Sequence, residues 1–129
     1  VGTFRVGCRI NHIADAKRSA KVDQLLVDTG SDYTWLPGPV LERIGVEVVK
    51  KDILFIMANG TRITRDVGYV IIHCDKFQTV DEVVFARSGD MSLLGARTLE
   101  GFNAAVDSKK KKLVAAGPVV AAGNIKENL

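Results

Sequence analysis

"LLVDTGSDYTWLP", Leu25 to Pro37, starts as an apolar strand and runs straight into an aspartate, with Thr29, Gly30 and Ser31 directly behind it. An ionised carboxylate at the end of an apolar strand is costly unless it is paired or hydrogen-bonded, so Asp28 requires an explanation. Two readings are open from these residues alone. In one, Asp28 begins an Asx turn and accepts hydrogen bonds from the amides after it, with Gly30 supplying the turn. In the other it is a catalytic acid-base, Thr29 and Ser31 are the hydroxyls that orient it, and Gly30 lets a substrate backbone come close.

Upstream, Phe4, Val6, Cys8 and Ile10 alternate with Thr3, Arg5 and Arg9, which predicts a half-buried strand over Val1 to Ile10. The polar stretch Asn11 to Lys21 reads as a connection into the apolar run Val22 to Val27. Downstream, Pro39, Leu41, Ile44 and Gly45 predict a short helix. Val46 to Met57 is rich in β-formers, and Asn59-Gly60 predicts a hairpin whose two turn residues take positive φ, with Ile63 to Cys74 as the returning strand. Val80 to Ala86 is a further strand, followed by a turn at Ser88 to Asp90 and the apolar run Met91 to Leu94, which ends at Gly95. Ala96, Leu99 and Phe102 recur every third residue and predict a short helix. Two last strands, Ala104 to Asp107 and Leu113 to Ala115, flank a lysine turn, and an apolar piece follows at Val119 to Ala122. Many short strands and one or two short helices predict a mainly β chain with a closed or sandwiched sheet. At 129 residues, the expected organisation is one domain over 1–129.

Composition narrows the function classes. The net charge of +3 rests partly on the block Lys109 to Lys112 without interleaved aromatics, which argues against a nucleic-acid partner. Apolar runs fall short of the ~18 residues of a membrane span, and the first residues do not resemble a signal peptide. Cys8 and Cys74 lie far apart in apolar strands and are expected as buried free thiols in a reducing, cytoplasmic setting. His12 and His73 have no third ligand at metal-like spacing, so no metal site is expected. Tyr33, Trp35 and Phe55 read as core before they read as cleft lining.

The opening stretch, taken with the later "SLLGARTLEGF", resembles the retroviral-type (retropepsin-like) aspartic peptidases, in the single-domain form found in cellular and bacterial proteins. The shared pattern is an apolar strand into Asp-Thr-Gly-Ser, an intervening hairpin, then two apolar residues and Gly before a short helix. It extends from the first strand through the lysine turn. The resemblance implies a closed barrel of short strands with a flap hairpin, assembled as a two-fold homodimer. It implies Asp28 as the catalytic aspartate, supported in its loop by Thr29, Gly30 and Ser31. Ala58, Asn59, Gly60 and Thr61 would form the flap tip, and Leu93, Leu94 and Gly95 the second motif that packs on the Asp28 loop. The implied activity is aspartic endopeptidase, acting on extended peptide or protein substrates without a cofactor or metal.

Such chemistry needs two carboxylates sharing one proton, and no second Asp-Thr/Ser-Gly is present. One chain therefore supplies half a site, and a two-fold dimer would bring Asp28 of each subunit together. The alternative is a catalytically silent dimer that keeps the fold and binds peptide or protein partners. Three departures from the family pattern stand out. The flap tip "MANGTR" is polar with one glycine. Ala96 occupies the place where family members carry an Arg paired with the acid after the triplet, leaving a shifted Asp32 to Arg97 ion pair as the expected substitute. The C-terminal segment, in which Val119 to Ala121 would take the place of the interleaved interface strand, maps poorly.

Overall fold

The computed structural model describes residues 3–119. Val1 and Gly2 of the expected first strand, and the C-terminal apolar piece beyond Val119, lie outside the described residues.

Alternation across the first strand is borne out: β1 (Arg5–Asn11) buries Cys8 and Ile10 and exposes Arg5 and Arg9. β2 (Ser19–Val27) starts three residues earlier than the apolar run, because Ala20 and Val22 point inward between exposed Lys21 and Asp23. Its inward phase then shifts from even to odd positions, burying Leu25 and Val27. A bulge causes the shift. The β1 register slips between Val6 and Cys8, and Gln24 takes φ 62° to absorb the one extra residue on β2. The bulge thereby turns the end of β2 so that Leu25 and Val27 are buried just before Asp28.

β3 (Thr34–Pro37) leads directly into α1 (Gly38–Arg43), whose early proline suits a helix start. β4 (Lys50–Ile56) and β5 (Arg62–Cys74) form the expected hairpin, with a difference in its turn. Gly60 alone takes positive φ, at 84°, while Asn59 acts through its side chain, whose Oδ1 accepts from the Thr61 N–H at 2.9 Å. Gly60 N–H donates to Met57 O and Met57 N–H to Thr61 O, each at 2.8 Å, so the loop has three residues rather than two. β5 turns immediately into β6 (Phe77–Ala86) through Asp75-Lys76, a tight hairpin that began three residues before the strand expected at Val80. β7 is only Leu93–Leu94, and α2 (Ala96–Phe102) ends at Asn103 in the left-handed conformation. β8 (Ala104–Asp107) and β9 (Lys112–Ala115) pair as a separate ribbon around the lysine turn.

The result is mainly β. Seven strands pair in the order β1-β2-β7-β3-β6-β5-β4, and β1 also pairs with β5, so the ladder that leaves β1 returns to it. The main core lies inside this arrangement and includes Ile10, Leu25, Leu36, Leu41, Ile72 and Leu94, each fully buried. A second cluster forms around Trp35 with Val67, Val84, Ala86 and Leu93. Ile53, Phe55 and Ile63 of the β4–β5 hairpin pack onto it, as does Tyr33. The aromatic residues thus belong chiefly to packing: Trp35 and Tyr33 each contact Phe55, with ring centroids 5.3 and 5.4 Å apart.

Candidate active site

Three segments distant in sequence meet at Asp28. β7 lies between β2, to which it is parallel through Leu26–Leu93 and Val27–Leu94, and β3, which it meets antiparallel at Trp35–Leu93. A two-residue strand buried on both sides must be wholly apolar, as Leu93 and Leu94 are. The Asp28 N–H donates to the Leu94 carbonyl at 3.0 Å. On the far side of the loop, the Ala96 N–H donates to Ser31 O at 2.7 Å and the Arg97 N–H to Asp32 O at 3.0 Å. The first amides of α2 would otherwise lack partners, so the helix start and the Asp28 loop satisfy one another. Gly95 is demanded by this contact: a Cβ there would overlap the Tyr33 carbonyl oxygen and crowd that of Asp32.

Both readings of Asp28 are visible in its geometry. The Gly30 N–H donates to Asp28 Oδ1 at 3.0 Å, which is an Asx turn. Among the described residues, Oδ2 receives no hydrogen bond, and Asp28 is half-buried at a loop whose Thr29 and Gly30 are exposed. A Cβ on Gly30 would stand 3.3 Å from Asp28 Oδ1, a tight contact with the oxygen that the Gly30 N–H holds, so glycine there leaves the carboxylate room to keep this position. Ser31 donates its hydroxyl to the Tyr33 carbonyl at 3.1 Å, bracing the loop rather than the carboxylate. Ala58, Asn59, Gly60 and Thr61 sit at the exposed tip of the β4–β5 hairpin.

The Asp32 to Arg97 ion pair does not form. Arg97 extends over the Tyr33 ring, 4.6 Å from its centroid, and its guanidinium donates to Glu82 Oε1 on β6 at 3.2 Å. An aromatic face and a largely shielded carboxylate offer more than an exposed aspartate in water, where an ion pair gains about 1 kcal/mol or less. Glu82 also receives Lys50 Nζ at 2.8 Å, and this bond, more than any other influence, holds its carboxyl below the usual range. Asp32 meets Arg97 only through the backbone.

Sequence reasoning missed the polar chain beneath the loop. Thr34 and Thr98 are fully buried. The Gly95 N–H donates to Thr34 Oγ1 at 3.0 Å, the two threonine hydroxyls bond to each other, and Thr98 donates to Asp81 Oδ2 at 2.7 Å. Since the Asp81 carboxylate can only accept, the order is fixed: Gly95 to Thr34, Thr34 to Thr98, Thr98 to Asp81. The available signal was a threonine inside the apolar Thr34-Trp35-Leu36 run, because a hydroxyl on a buried strand needs a partner. A second brace went unread as well. Arg65 on β5 holds Asp90 by two bonds of 2.7 and 2.8 Å, and the Arg87 N–H adds another at 2.8 Å. The Arg65 bond is the main reason the Asp90 carboxyl sits below its ordinary value.

Among the described residues, no group of three or more His, Cys, Asp or Glu is placed to hold a metal, and no helix is long and apolar enough to cross a membrane. Two surface cavities lie away from Asp28, one by Cys8 and His73 and one by α1 and Phe85. No family model and no curated protein matches the chain. Among solved structures, the chain is similar to the retroviral protease-like domain of Ddi1 from Leishmania major, with a TM-score of 0.55 and 18% identity over 89% of each chain. The braced Asp28 loop therefore sits in a fold of the retroviral protease type.

Proposed function

We propose that this chain is an aspartic endopeptidase that works as a two-fold homodimer, with the Asp28 carboxylates of two subunits forming one site. The observation that carries the reading is the Asp28 loop itself. A carboxylate is held at one oxygen by Gly30 and open at the other, on a loop braced by the second motif.

In the dimer, two carboxylates close to the axis cannot both ionise, so the pair holds one proton between them. The ionised member takes a proton from a bound water as the water attacks the scissile carbonyl carbon. The protonated member donates to the carbonyl oxygen, stabilising the charge that develops there. The proton then moves to the leaving amine, and the pair returns to its starting state. The Gly30 N–H fixes the carboxylate plane throughout. The β4–β5 hairpin would close as the flap over an extended substrate, and the barrel of the family would carry the two loops to the dimer axis. The two carboxylates titrate as a unit, so any pH profile belongs to the pair.

The test is cleavage of a mixed peptide library from acid to neutral pH, read by mass spectrometry, with wild type beside Asp28→Asn. Cuts by wild type alone, with the variant still folded and dimeric, are expected. Equal cutting by both would refute the assignment. Bound peptide with no cutting by either would instead indicate the silent binding module.

A further inference from the structure

β1 and β5 run antiparallel with Arg9 opposite His73 and Ile10 opposite Ile72. Extending that register by one residue sets Cys8 opposite Cys74, near enough for each thiol to influence the other's proton. Both are buried and both are free. The paired stretch of β1 and β5 is Arg9–His73, Ile10–Ile72 and Asn11–Ile71, and the two cysteines stand just beyond its end.

The geometry suits a bond. Directly opposed residues of an antiparallel pair have Cα atoms about 4.5 or 5.5 Å apart, inside the range of about 4.4–6.8 Å that a disulfide spans. Their Cβ atoms stand about 4.5–5.5 Å apart, against about 3.8 Å in a relaxed disulfide. Closure therefore draws the strands together slightly and leaves a strained bond, and strained disulfides are the readily reduced ones. Access comes from the surface cavity of about 350 Å³ that Cys8 lines with Gly7, Arg9, Lys21, Asp23, His73 and Asp75. It has room for a small neutral oxidant, and its charged lining is balanced, Arg9 and Lys21 against Asp23 and Asp75. Within the pair, the Cys8 thiol eases loss of the Cys74 proton, while burial and Asp75 oppose it. The Cys74 contact and burial hold the Cys8 thiol high.

We propose that Cys8 and Cys74 form a cross-strand dithiol site that hydrogen peroxide oxidises reversibly to an intramolecular disulfide joining β1 to β5. One sulfur, as thiolate, attacks a peroxide oxygen: an S–O bond forms, the O–O bond breaks, and the departing hydroxide takes the thiol proton to become water. The second sulfur then attacks the sulfenic sulfur, the S–S bond forms, and the S–O bond breaks. The second hydroxide leaves as water with the second thiol's proton. Two electrons pass from the sulfurs to the peroxide. The proposal stands on β1, β5 and the cavity and is independent of the peptidase reading.

The experiment treats the full reduced chain with hydrogen peroxide, alkylates remaining thiols, and records the intact mass and a non-reducing peptide map. Trp35 fluorescence reports that the fold persists. The expected result is a loss of two hydrogens per chain, with the Cys8 and Cys74 peptides joined within one chain and released by dithiothreitol. Cys8→Ala should instead stop at single-cysteine oxygen adducts on Cys74, trappable by a dimedone probe. Oxygen adducts without a crosslink in wild type, a crosslink between chains, or a crosslink seen only once fluorescence shows unfolding would each overturn the site.

Discussion

Replacing Thr34 by Val keeps the side chain's shape and deletes the hydroxyl through which Gly95 reaches Thr98 and Asp81. The Gly95 N–H is left buried without an acceptor, at a cost of about 1–3 kcal/mol, and the bond donated to Thr98 is lost, worth about 1 kcal/mol. The extra buried methyl returns about 0.8 kcal/mol at most. The net expectation is a loss of about 1–3 kcal/mol, a fall in melting temperature of roughly 3–12 °C for a chain of this size. Thr98→Val should cost a similar amount, because it strands the Thr34 O–H and removes a donor from Asp81. The double variant removes the inter-threonine bond once rather than twice, so its cost should fall below the sum of the singles by about 1 kcal/mol. Urea unfolding followed by Trp35 fluorescence measures all four proteins, with the slope held common. A Thr34→Val loss below about 0.5 kcal/mol, or strict additivity, would refute the chain of donors as drawn.

Other outcomes follow from particular contacts. Gly95→Ala should prevent α2 from closing on the Asp28 loop, read as loss of soluble folded protein, since the clash is with backbone carbonyls that cannot turn aside. Gly60→Ala meets nothing within 4 Å yet sits at φ 84°, so it should cost about 1 kcal/mol through backbone strain alone and raise hydrogen exchange at the hairpin tip. Asp90→Asn should cost about 1.5–3 kcal/mol at neutral pH, since Arg65 then faces a neutral partner. The folded Asp90 value lies below the unfolded value of 3.8, so its stabilisation is fully present above pH 3.8 and is lost as pH falls through the folded value. The gap between the wild-type and Asp90→Asn urea midpoints should hold steady down to about pH 4 and close below it. A gap independent of pH would mean that the carboxylate charge is not what Arg65 reads.

Elements defined by local chemistry were legible in the sequence. α2 runs from Ala96 to Phe102 as its three-residue spacing predicts, and the lysine turn falls between the strands flanking it. Asp28 stood out because a carboxylate after Leu25-Leu26-Val27 is costly unless it is paired or hydrogen-bonded. What escaped depends on register between distant strands. Cys8 opposite Cys74 and Thr34 against Thr98 require β1 beside β5 and β3 beside α2, and no window of sequence encodes either neighbour. The Asp75-Lys76 hairpin escaped because neither residue is a glycine or asparagine, although Asp75 adopts φ 52°. Arg97 was misdirected for a related reason: its charge suggested Asp32, while the decisive partners, Glu82 and the Tyr33 ring, come from elsewhere in the fold.

The two-residue strand β7 has a bearing on when the site comes into being. Asp28 is made early in the chain, but its N–H has no acceptor until Leu94 arrives, and Ser31 and Asp32 wait for the helix behind it. Forming these bonds closes a loop over the whole intervening segment, the kind of distant contact that slows folding. During synthesis, then, the carboxylate loop lacks its braces until Leu94, Ala96 and Arg97 have been made. A chain interrupted before Leu93 would hold β1 through β6 and the whole Asp-Thr-Gly sequence, yet have no structured site.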